Sequence, residues 1–392
     1  MEDALNLQQN RNKRRELIQQ IEEKLTAKLV VYFTADSPVV GAMIAEDAIL
    51  PIFDHLRAVG KQNRIALYLY SSGGQMETPW KIVSMLREFC DELNVVVPYK
   101  AYSAATMIAI GADKIQMTSK AELGPIDPAL QVNPLIGKDS PSPRLADLGV
   151  EDVAAYLTFI RERAKLTDQA AVSSAIGTLA KYLTPPLLGR LERIYSHIRL
   201  VARNLLALHK PPLDDRQISN ITQALTEKMY VHGHGIGRKA AREIGLDVEF
   251  LDADTGDLVW SLYEQYEPVF RLRETRDVES YFPPTSDIYE QADSVVACIE
   301  SAELLHEFSG KVRAQRLRSV PPNPTINVNL GFNFPANLNP QQLPQQIQQI
   351  IQQILQQAAQ QLPGLVAQEI QRQSPPIGAA AQFIGGAWRK VE

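Results

Sequence analysis

Three stretches in the first third of the chain have the hydrophobic pattern of buried strands. They are Arg64–Tyr70, Leu93–Pro98 and Ala112–Met117. The first two are nearly all apolar, which is typical of parallel strands that are covered on both faces. The intervening stretches Met76–Phe89 and Ala104–Ala112 place apolar residues at the spacing of a helix. This alternation predicts an α/β core with a parallel sheet.

Two of the predicted strand-to-helix turns contain residues that are suited to chemistry. Gly73 and Gly74 follow the first strand, and adjacent glycines let backbone amides approach a ligand closely, as an oxyanion hole requires. Ser103 opens the helix after the second strand, where its hydroxyl would lie near free backbone amides. Each turn also has a purely structural explanation, because glycine is common in tight turns and serine is a preferred helix N-cap.

The order strand, Gly-Gly, helix, strand, Ser, helix, strand, Gly-Pro resembles the Clp protease and crotonase superfamily. More closely, Ser103-Ala104-Ala105-Thr106 with Leu123-Gly124-Pro125-Ile126-Asp127-Pro128 resembles the serine dehydrogenase proteinase family, relatives of the signal peptide peptidase SppA. The resemblance runs from about Val30 to Val248 and ends in His232-Gly233 and Glu243–Val248. It implies a Clp protease/crotonase-like fold, a parallel sheet spiral with surrounding helices, here followed by a C-terminal extension.

The same resemblance implies a serine peptidase. Ser103 would attack the peptide carbonyl as the nucleophile. The backbone amides of Gly73, Gly74 and Ala104 would form the oxyanion hole.

The chain departs from the family pattern at two positions beside these residues. Ser72 stands where the family tends to have proline, and Ala105 stands where it tends to have glycine. Neither change removes a reacting atom, although Ala105 narrows the backbone freedom beside Ser103.

The general base has three candidates. Clp proteases use a histidine soon after the serine, and Glu122–Pro128 contains none, so the resemblance favours the SppA solution, a lysine that burial keeps neutral. Lys165 and Lys181 are the lysine candidates, and SppA-like enzymes place theirs before a helix start such as Thr184-Pro185, which favours Lys181. His232 is the alternative, because it coincides with the histidine of the closing motif. All three also fit structural roles, a solvated charge for the lysines and a turn for His232.

Composition excludes several other classes of protein. Forty basic and 45 acidic residues give a formal net charge of −5, so no general attraction to nucleic acid is expected. The two cysteines, Cys90 and Cys298, are too few for a disulfide framework and fit a reducing compartment. Residues 1–28 lack the apolar core of a secretory signal, and no apolar span has membrane length. No cluster with metal-ligand spacing adjoins His232 and His234. We therefore expect a soluble, cytoplasmic protein without metal or cofactor.

The chain divides into four predicted segments. Residues 1–28 are expected to form an N-terminal helix, and residues 29–250 the SppA/Clp-like protease domain. Residues 251–318 are a mixed C-terminal part of the core or a small subdomain, in which Ser301–His306 is predicted to be helical. Residues 319–392 form a low-complexity, glutamine-rich tail.

The tail combines a strand-like pattern with a helical one, and no charged residue occurs between Arg318 and Glu369. Apolar and polar residues alternate over Ile326–Phe332, which would offer a strand edge for pairing. Gln341–Gln361 predicts a helix with a short aliphatic seam: Ile347, Ile351, Ile354 and Ala358. An isolated helix of this length needs a partner for its seam, so we expect a homo-oligomer, or a protein partner bound through the tail. A disordered tail is the alternative.

Three functions are compatible with these patterns. The leading one is a soluble serine peptidase acting on a peptide or protein substrate. A crotonase-like acyl-CoA enzyme uses the same oxyanion architecture without a serine nucleophile, and Glu122 and Asp127 would supply its acidic residues. A catalytically silent scaffold is the third, and the absence of an evident base favours it. Fold alone does not decide among them.

Overall fold

The computed structural model divides the chain into two units. The residues it describes are 7–8, 10–36, 41–126, 129–132, 146–149, 153, 155–156, 158–226, 235–273, 279, 282–283, 286–319 and 343–391. One unit comprises residues 1–275, 293–310 and 385–392, and the other comprises residues 276–292 and 311–384.

The described strands form one large sheet and two small ones. Their bounds are β1 Lys28–Thr34, β2 Gln62–Tyr70, β3 Cys90–Val97, β4 Lys100–Ala101, β5 Lys114–Met117, β6 Glu122–Leu123, β7 Ala129–Val132, β8 Ala146–Gly149, β9 Ile236–Gly237, β10 Val248–Phe250, β11 Ile288–Glu300, β12 Leu305–Arg318 and β13 Pro376–Val391. The large sheet has the order β10-β5-β3-β2-β1-β11-β12-β13.

The described helices include ten α-helices. Their bounds are α1 Arg11–Leu25, α2 Ile49–Val59, α3 Thr78–Arg87, α4 Ala104–Ile110, α5 Gln169–Tyr182, α6 Pro185–Leu206, α7 Asp215–Thr226, α8 Arg238–Ile244, α9 Ala253–Tyr266 and α10 Gln345–Gln373. A short 3₁₀ turn, Glu46–Ala48, precedes α2, and a single π-helical turn, Phe159–Arg163, precedes α5. None of the described helices is long and apolar enough to cross a membrane.

In the first unit, the strands from β10 to β1 are parallel, and β11 joins β1 in antiparallel orientation. The side chains of β2 alternate between the two faces of this sheet. Leu67 and Leu69 pack on the face covered by α2, α3, α4, α6 and α7. Tyr68 and Tyr70 pack on the opposite face, against α1 and α9. The nearly all-apolar strand follows from this double coverage.

The parallel strands bring the two candidate turns to the same edge of the sheet. Leu67 of β2 lies beside Val95 of β3, so the segments that follow both strands leave the sheet side by side. Beyond that edge lies one of the two small sheets, which consists of β4, β6 and β9 in that order. This sheet links the segment before Ser103 to the segment after Gly235.

In the second unit, Asp287 is held by two arginines. Arg318 donates to both of its carboxylate oxygens at 2.7 Å, and Arg316 donates to one of them at 3.0 Å. The hydrogen bond from Arg318 lowers the pKa of Asp287 to about 2.

The structure confirms the predicted α/β fold with its parallel sheet and surrounding helices. β11, β12 and β13 each contribute residues to both units, because these strands are long and lie in one sheet. The predicted helix at Ser301–His306 is wrong, since these residues turn from β11 into β12.

The tail contains more regular structure than expected. Its predicted helix is present as α10 and is 29 residues long. The last part of the tail forms β13, and Trp388 of this strand lies 6.4 Å from Tyr32 between ring centroids. The predicted strand at Ile326–Phe332 lies outside the described residues.

A buried ion pair joins α1 to β11. Arg14 Nε lies 2.7 Å from Glu300 Oε2, and the two side chains are 0% and 1% exposed. The Tyr266 hydroxyl donates to the same carboxylate at 2.7 Å, and Arg14 Nη2 donates to the carbonyl oxygen of Leu7 at 2.6 Å. These bonds satisfy most of a charge pair that is costly to bury.

Replacing Arg14 should destabilise the protein strongly. Arg14→Met leaves the Glu300 carboxylate buried without its cation, and we expect a loss of about 3–5 kcal/mol in the free energy of unfolding, measured in urea. Lys114→Met is the control, because Lys114 pairs with Glu249 at 3.6 Å with both side chains well exposed, and it should cost less than about 1 kcal/mol. Equal losses in the two variants would contradict this account of the buried pair.

Self-association through the tail is tested on the exposed face of α10. Ile350 and Ile354 are 54% and 49% exposed. If this face binds a second copy, the full chain with both Ile350→Lys and Ile354→Lys should form a smaller assembly. Its molar mass in light scattering should then be lower than that of the wild type. The matched control is Gln349→Lys with Gln353→Lys, which adds the same charge at exposed positions one residue earlier. A mass that is unchanged in the isoleucine variant would argue against self-association through this face.

Candidate active site

Ser103 has a strained backbone at the start of α4. Its φ is 53° and its ψ is −116°, a combination that non-glycine residues rarely adopt and that costs about 1–3 kcal/mol. The side chain is partly buried. Its hydroxyl has one protein neighbour within hydrogen-bonding range among the described residues, Met76 Sδ at 3.9 Å. Backbone strain of this kind clusters at functional sites.

Gly73 lies directly against the side chain of Ser103. A Cβ atom added to Gly73 would lie 2.7 Å from Ser103 Cβ and 3.2 Å from Ser103 Oγ. The φ of Gly73 is 118°, which only glycine adopts readily. Glycine is therefore required at position 73 for two reasons: its φ is positive, and the adjacent Ser103 side chain leaves no room for a Cβ atom.

Gly74 makes a second close backbone approach. A Cβ atom there would collide with the backbone of Ile44, including its carbonyl oxygen. Ile44 N donates to Gly73 O, and Gln75 N donates to Ile44 O, both at 2.8 Å. The segment containing Ile44 thus holds the loop from its outer side.

The three predicted oxyanion donors differ in their hydrogen bonding. The N–H of Gly73 donates to Ser71 Oγ at 3.1 Å, so this amide already has an acceptor. The N–H groups of Gly74 and Ala104 have no acceptor among the described residues.

Thr106 connects the serine motif to the Leu-Gly-Pro motif. Its hydroxyl lies 2.6 Å from Ala101 O and 2.9 Å from Gly124 O, and it can donate its proton to either oxygen. It also accepts a hydrogen bond from Gly124 N at 3.1 Å. Gly124 in turn lies under the ring of Tyr102, where an added Cβ would approach ring carbons to 2.9 Å. These contacts explain why a threonine follows Ser103 by three residues and why a glycine lies eighteen residues further on.

Tyr102 and Glu122 form a hydrogen-bonded pair beside the nucleophile candidate. The Tyr102 hydroxyl donates to Glu122 Oε2 at 2.6 Å. Burial and this bond raise the pKa of Tyr102, which therefore remains a donor at neutral pH. The Glu122 carboxylate abuts Gly235, where a Cβ would collide with it. The segment that follows the His232–His234 motif is thus packed against this pair.

The base candidates are not brought together with Ser103 by the described residues. Lys181 is exposed in the last turn of α5. Lys165 is also exposed and follows the π-helical turn with a φ of 53°. Neither lysine hydrogen-bonds to Ser103. His232 lies outside the described residues.

Three of the remaining histidines have partners that the sequence did not reveal. His55 Nδ1 lies 3.0 Å from Ser301 Oγ, and His55 Nε2 lies 3.1 Å from His306 Nδ1. Burial lowers the pKa of His55 to about 3 and also lowers that of His306. His209 Nε2 donates to Ile110 O at 2.7 Å. None of these bonds includes Ser103.

The described residues contain no group of three or more His, Cys, Asp or Glu side chains placed to hold a metal ion.

Residues 1–138 match the family model of the ClpP-like SDH-type serine proteinases. The match confirms the resemblance drawn from the motifs, and it includes Gly73, Gly74, Ser103 and Leu123–Pro128. It ends before Lys165, Lys181 and His232. The part of the chain that holds the nucleophile candidate is thus the part that the family model recognises.

Other comparisons give more distant similarities. An uncharacterized protein of Methanocaldococcus jannaschii is 28% identical over 226 residues, which are 58% of this chain and 66% of that protein. The chain thus spans just under two thirds of this relative. A serine-to-alanine mutant of the 1510-N membrane-bound stomatin-specific protease has 15% identity and a TM-score of 0.33, over 62% of this chain and 86% of that one.

ClpP1 from Listeria monocytogenes, as an asparagine-to-aspartate mutant, has 14% identity and a TM-score of 0.29, over 60% of this chain and 99% of that one. Similarities at this level carry no information about catalytic residues or substrates.

Removing the Thr106 hydroxyl should destabilise the site. Thr106→Val keeps the shape of the side chain and leaves the buried polar atoms of Ala101 and Gly124 without this partner, so we expect a loss of about 1–3 kcal/mol in the free energy of unfolding. Thr222→Val is a matched control, because the Thr222 hydroxyl is buried without a hydrogen-bond partner. Chemical denaturation of the two variants checks the prediction, and a Thr106→Val variant as stable as Thr222→Val would contradict it.

Proposed function

We propose that this protein is a serine peptidase in which Ser103 is the nucleophile. The observation that carries the proposal is the strained backbone of Ser103 between strand and helix, with its hydroxyl hydrogen-bonded only to Met76 Sδ among the described residues. A sharp strand-to-helix turn presents the nucleophile in the α/β-hydrolases for the same reason, since it projects the hydroxyl away from the sheet. A serine that merely capped the helix would use its hydroxyl on a backbone amide, and Ser103 makes no such cap bond.

The oxyanion would be bound by the amides of Gly74 and Ala104. Attack by Ser103 Oγ on a peptide carbonyl places negative charge on the carbonyl oxygen, and fixed backbone donors stabilise that charge. Both amides lack an acceptor among the described residues, and Gly73 holds the loop against the Ser103 side chain. The tetrahedral intermediate would then collapse to an acyl-enzyme, which water hydrolyses.

Of the three candidate bases, we propose His232. Lys181 and Lys165 are exposed, and a lysine needs burial to be neutral near pH 7, whereas a histidine does not. Gly235, three residues after His232, abuts the Glu122 carboxylate that accepts from Tyr102. The segment that begins at Gly235 thus packs against the Tyr102–Glu122 pair, and Tyr102 directly precedes Ser103, which supports the choice of His232.

The acyl-CoA alternative is less well supported. Such an enzyme would need Glu122 free to act in a substrate pocket, and this carboxylate is engaged by Tyr102 and packed against Gly235. Asp127, the other acidic candidate, lies outside the described residues.

A fluorophosphonate probe tests the nucleophile directly. We expect the probe to label the wild type and Ser72→Ala, because Ser72 is an exposed serine of the neighbouring loop, and to leave Ser103→Ala unlabelled. Casein hydrolysis should fall by at least about a thousandfold in Ser103→Ala. Labelling of Ser103→Ala at the wild-type rate would contradict the proposal. Turnover of a short-chain acyl-CoA that survives in Ser103→Ala would favour the acyl-CoA alternative, and no activity of either kind would favour a silent scaffold.

The base is tested in parallel. Loss of a general base costs about a hundred- to ten-thousandfold in rate, so His232→Asn should reduce kcat by that amount, and Lys181→Met and Lys165→Met should stay within about threefold of the wild type. A loss confined to Lys181→Met would instead identify the lysine as the base.

A further inference from the structure

Ser71 uses its whole hydrogen-bonding capacity at the end of β2. Its hydroxyl accepts from Gly73 N at 3.1 Å and from Thr34 Oγ1 at 2.8 Å, and it lies 3.3 Å from Gly73 O, to which it donates. A serine hydroxyl has one donor and two acceptor sites, so all three are occupied. Ser71, Thr34 and Gly73 are all buried, and this small network has no access to compensating water.

The backbone of Ser71 is bonded to the strand that leads to Ser103. Ser71 N donates to Lys100 O at 3.1 Å, and Tyr102 N donates to Ser71 O at 3.0 Å. The residue that holds the Gly73 loop by its side chain therefore also holds the residue before Ser103 by its main chain. Ser71 therefore couples the position of the loop to that of Tyr102, while the hydrogen bonds to Ile44 hold the loop at a second point.

Thr34 supplies a fixed point for the network. It is the last residue of β1, which is paired on one side with β2 and on the other with β11. Its side chain is fully buried, and its hydroxyl donates to Ser71 Oγ. The threonine therefore fixes the rotamer of Ser71 from the centre of the sheet.

The loop needs such a brace because of its two glycines. Glycine has no side chain to restrict its dihedrals, so a Gly-Gly segment has many accessible conformations. Without the Ser71 hydroxyl, the N–H of Gly73 would lose its acceptor, while its C=O would keep the hydrogen bond from Ile44 N. The loop could then turn its amides to new directions. Amides that stabilise a transition state must be held in place before the charge develops.

We propose that Ser71, oriented by Thr34, is a positioning residue for the oxyanion-binding loop of the peptidase proposed above. It does not touch the reacting atoms. It holds Gly73 so that the Gly74 amide stays beside Ser103, and its removal lowers the rate of the chemical step more than the affinity for substrate.

Four variants test this role through kcat and KM for a fluorogenic peptide cleaved by the wild type. Ser71→Ala removes the brace, and Thr34→Val removes only the donor that orients it while keeping the side-chain shape. Thr34→Ser keeps the hydroxyl donor at position 34 and removes only the methyl group. Ser84→Ala is the matched control, because the Ser84 hydroxyl is buried and has no hydrogen-bond partner among the described residues.

We expect kcat to fall about 10- to 100-fold in Ser71→Ala, less than the hundred- to thousandfold loss of an oxyanion donor itself, with KM within about twofold. Thr34→Val should lose about 3- to 10-fold in kcat, whereas Thr34→Ser and Ser84→Ala should stay within about twofold. The rate of fluorophosphonate labelling, which needs the same amides, should follow kcat across the series.

Either of two results would overturn the proposal: a rise in KM with kcat unchanged in Ser71→Ala, or equal losses in Thr34→Ser and Thr34→Val, which would indicate packing. Thermal unfolding of each variant shows that the folded protein is being assayed. The peptidase proposal fails separately, if Ser103→Ala cleaves the peptide as fast as the wild type, and the role of Ser71 then falls with it.

Discussion

The candidate site depends on the close approach of Gly73 to Ser103. No side chain fits between them, because even a single Cβ atom on Gly73 would lie 2.7 Å from the Cβ of Ser103. The approach is possible because β2 and β3 are adjacent, parallel and in a register that makes their following segments level. The register of β2 and β3 in the core thus sets the distance between the Ser103 hydroxyl and the loop that contains Gly73.

Close approaches that only glycine permits also occur at two other positions of the site. Gly74 admits the backbone of Ile44, and Gly124 admits the ring of Tyr102. At each position the missing side chain lets main chain or ring lie closer than any other residue would allow. The site is therefore built from backbone contacts, and side chains such as Thr106 and Ser71 serve to hold those contacts in place. Backbone construction suits a site that must present amides rather than charged groups.

The strain at Ser103 has to be offset by its surroundings. The residues of α4 that follow it are fully buried, and Met107 N donates to Ser103 O at 3.0 Å. A short helix locked into the core in this way cannot relax its first residue without moving the whole helix. The cost of about 1–3 kcal/mol for one strained residue is small beside the burial of a complete apolar helix.

Much of this fold could be predicted from the sequence, because the apolar runs and their spacing directly reflect burial. The strands and helices from Arg64 to Met117 are present, and the two turns that carry Gly73 and Ser103 do meet at one edge. Other features depend on partners that local patterns do not reveal. The Gly73 amide was predicted as an oxyanion donor because nothing in the sequence shows that Ser71 accepts from it. His55 and His306 seemed unpaired because they are 251 residues apart.

The tail contains a strand that its sequence pattern does not predict. Its last strand, β13, is rich in glycine and alanine, residues with little intrinsic preference for strands. It forms because a neighbouring strand offers a long ladder of hydrogen bonds, and a local pattern carries no signal of that kind. Ser301–His306 was misread for a related reason, since a tight connection between two long strands can have helical composition.

The Arg14–Glu300 pair also has a consequence for biosynthesis. Its two members are 286 positions apart, so α1 leaves the ribosome long before its carboxylate partner exists. At about 5–20 residues per second, that interval is roughly 15–60 seconds. During this time the sheet lacks β11 along one side of β1, and the amino-terminal helix has no counter-charge to dock against. The protein therefore has to complete its core after most of the chain has emerged.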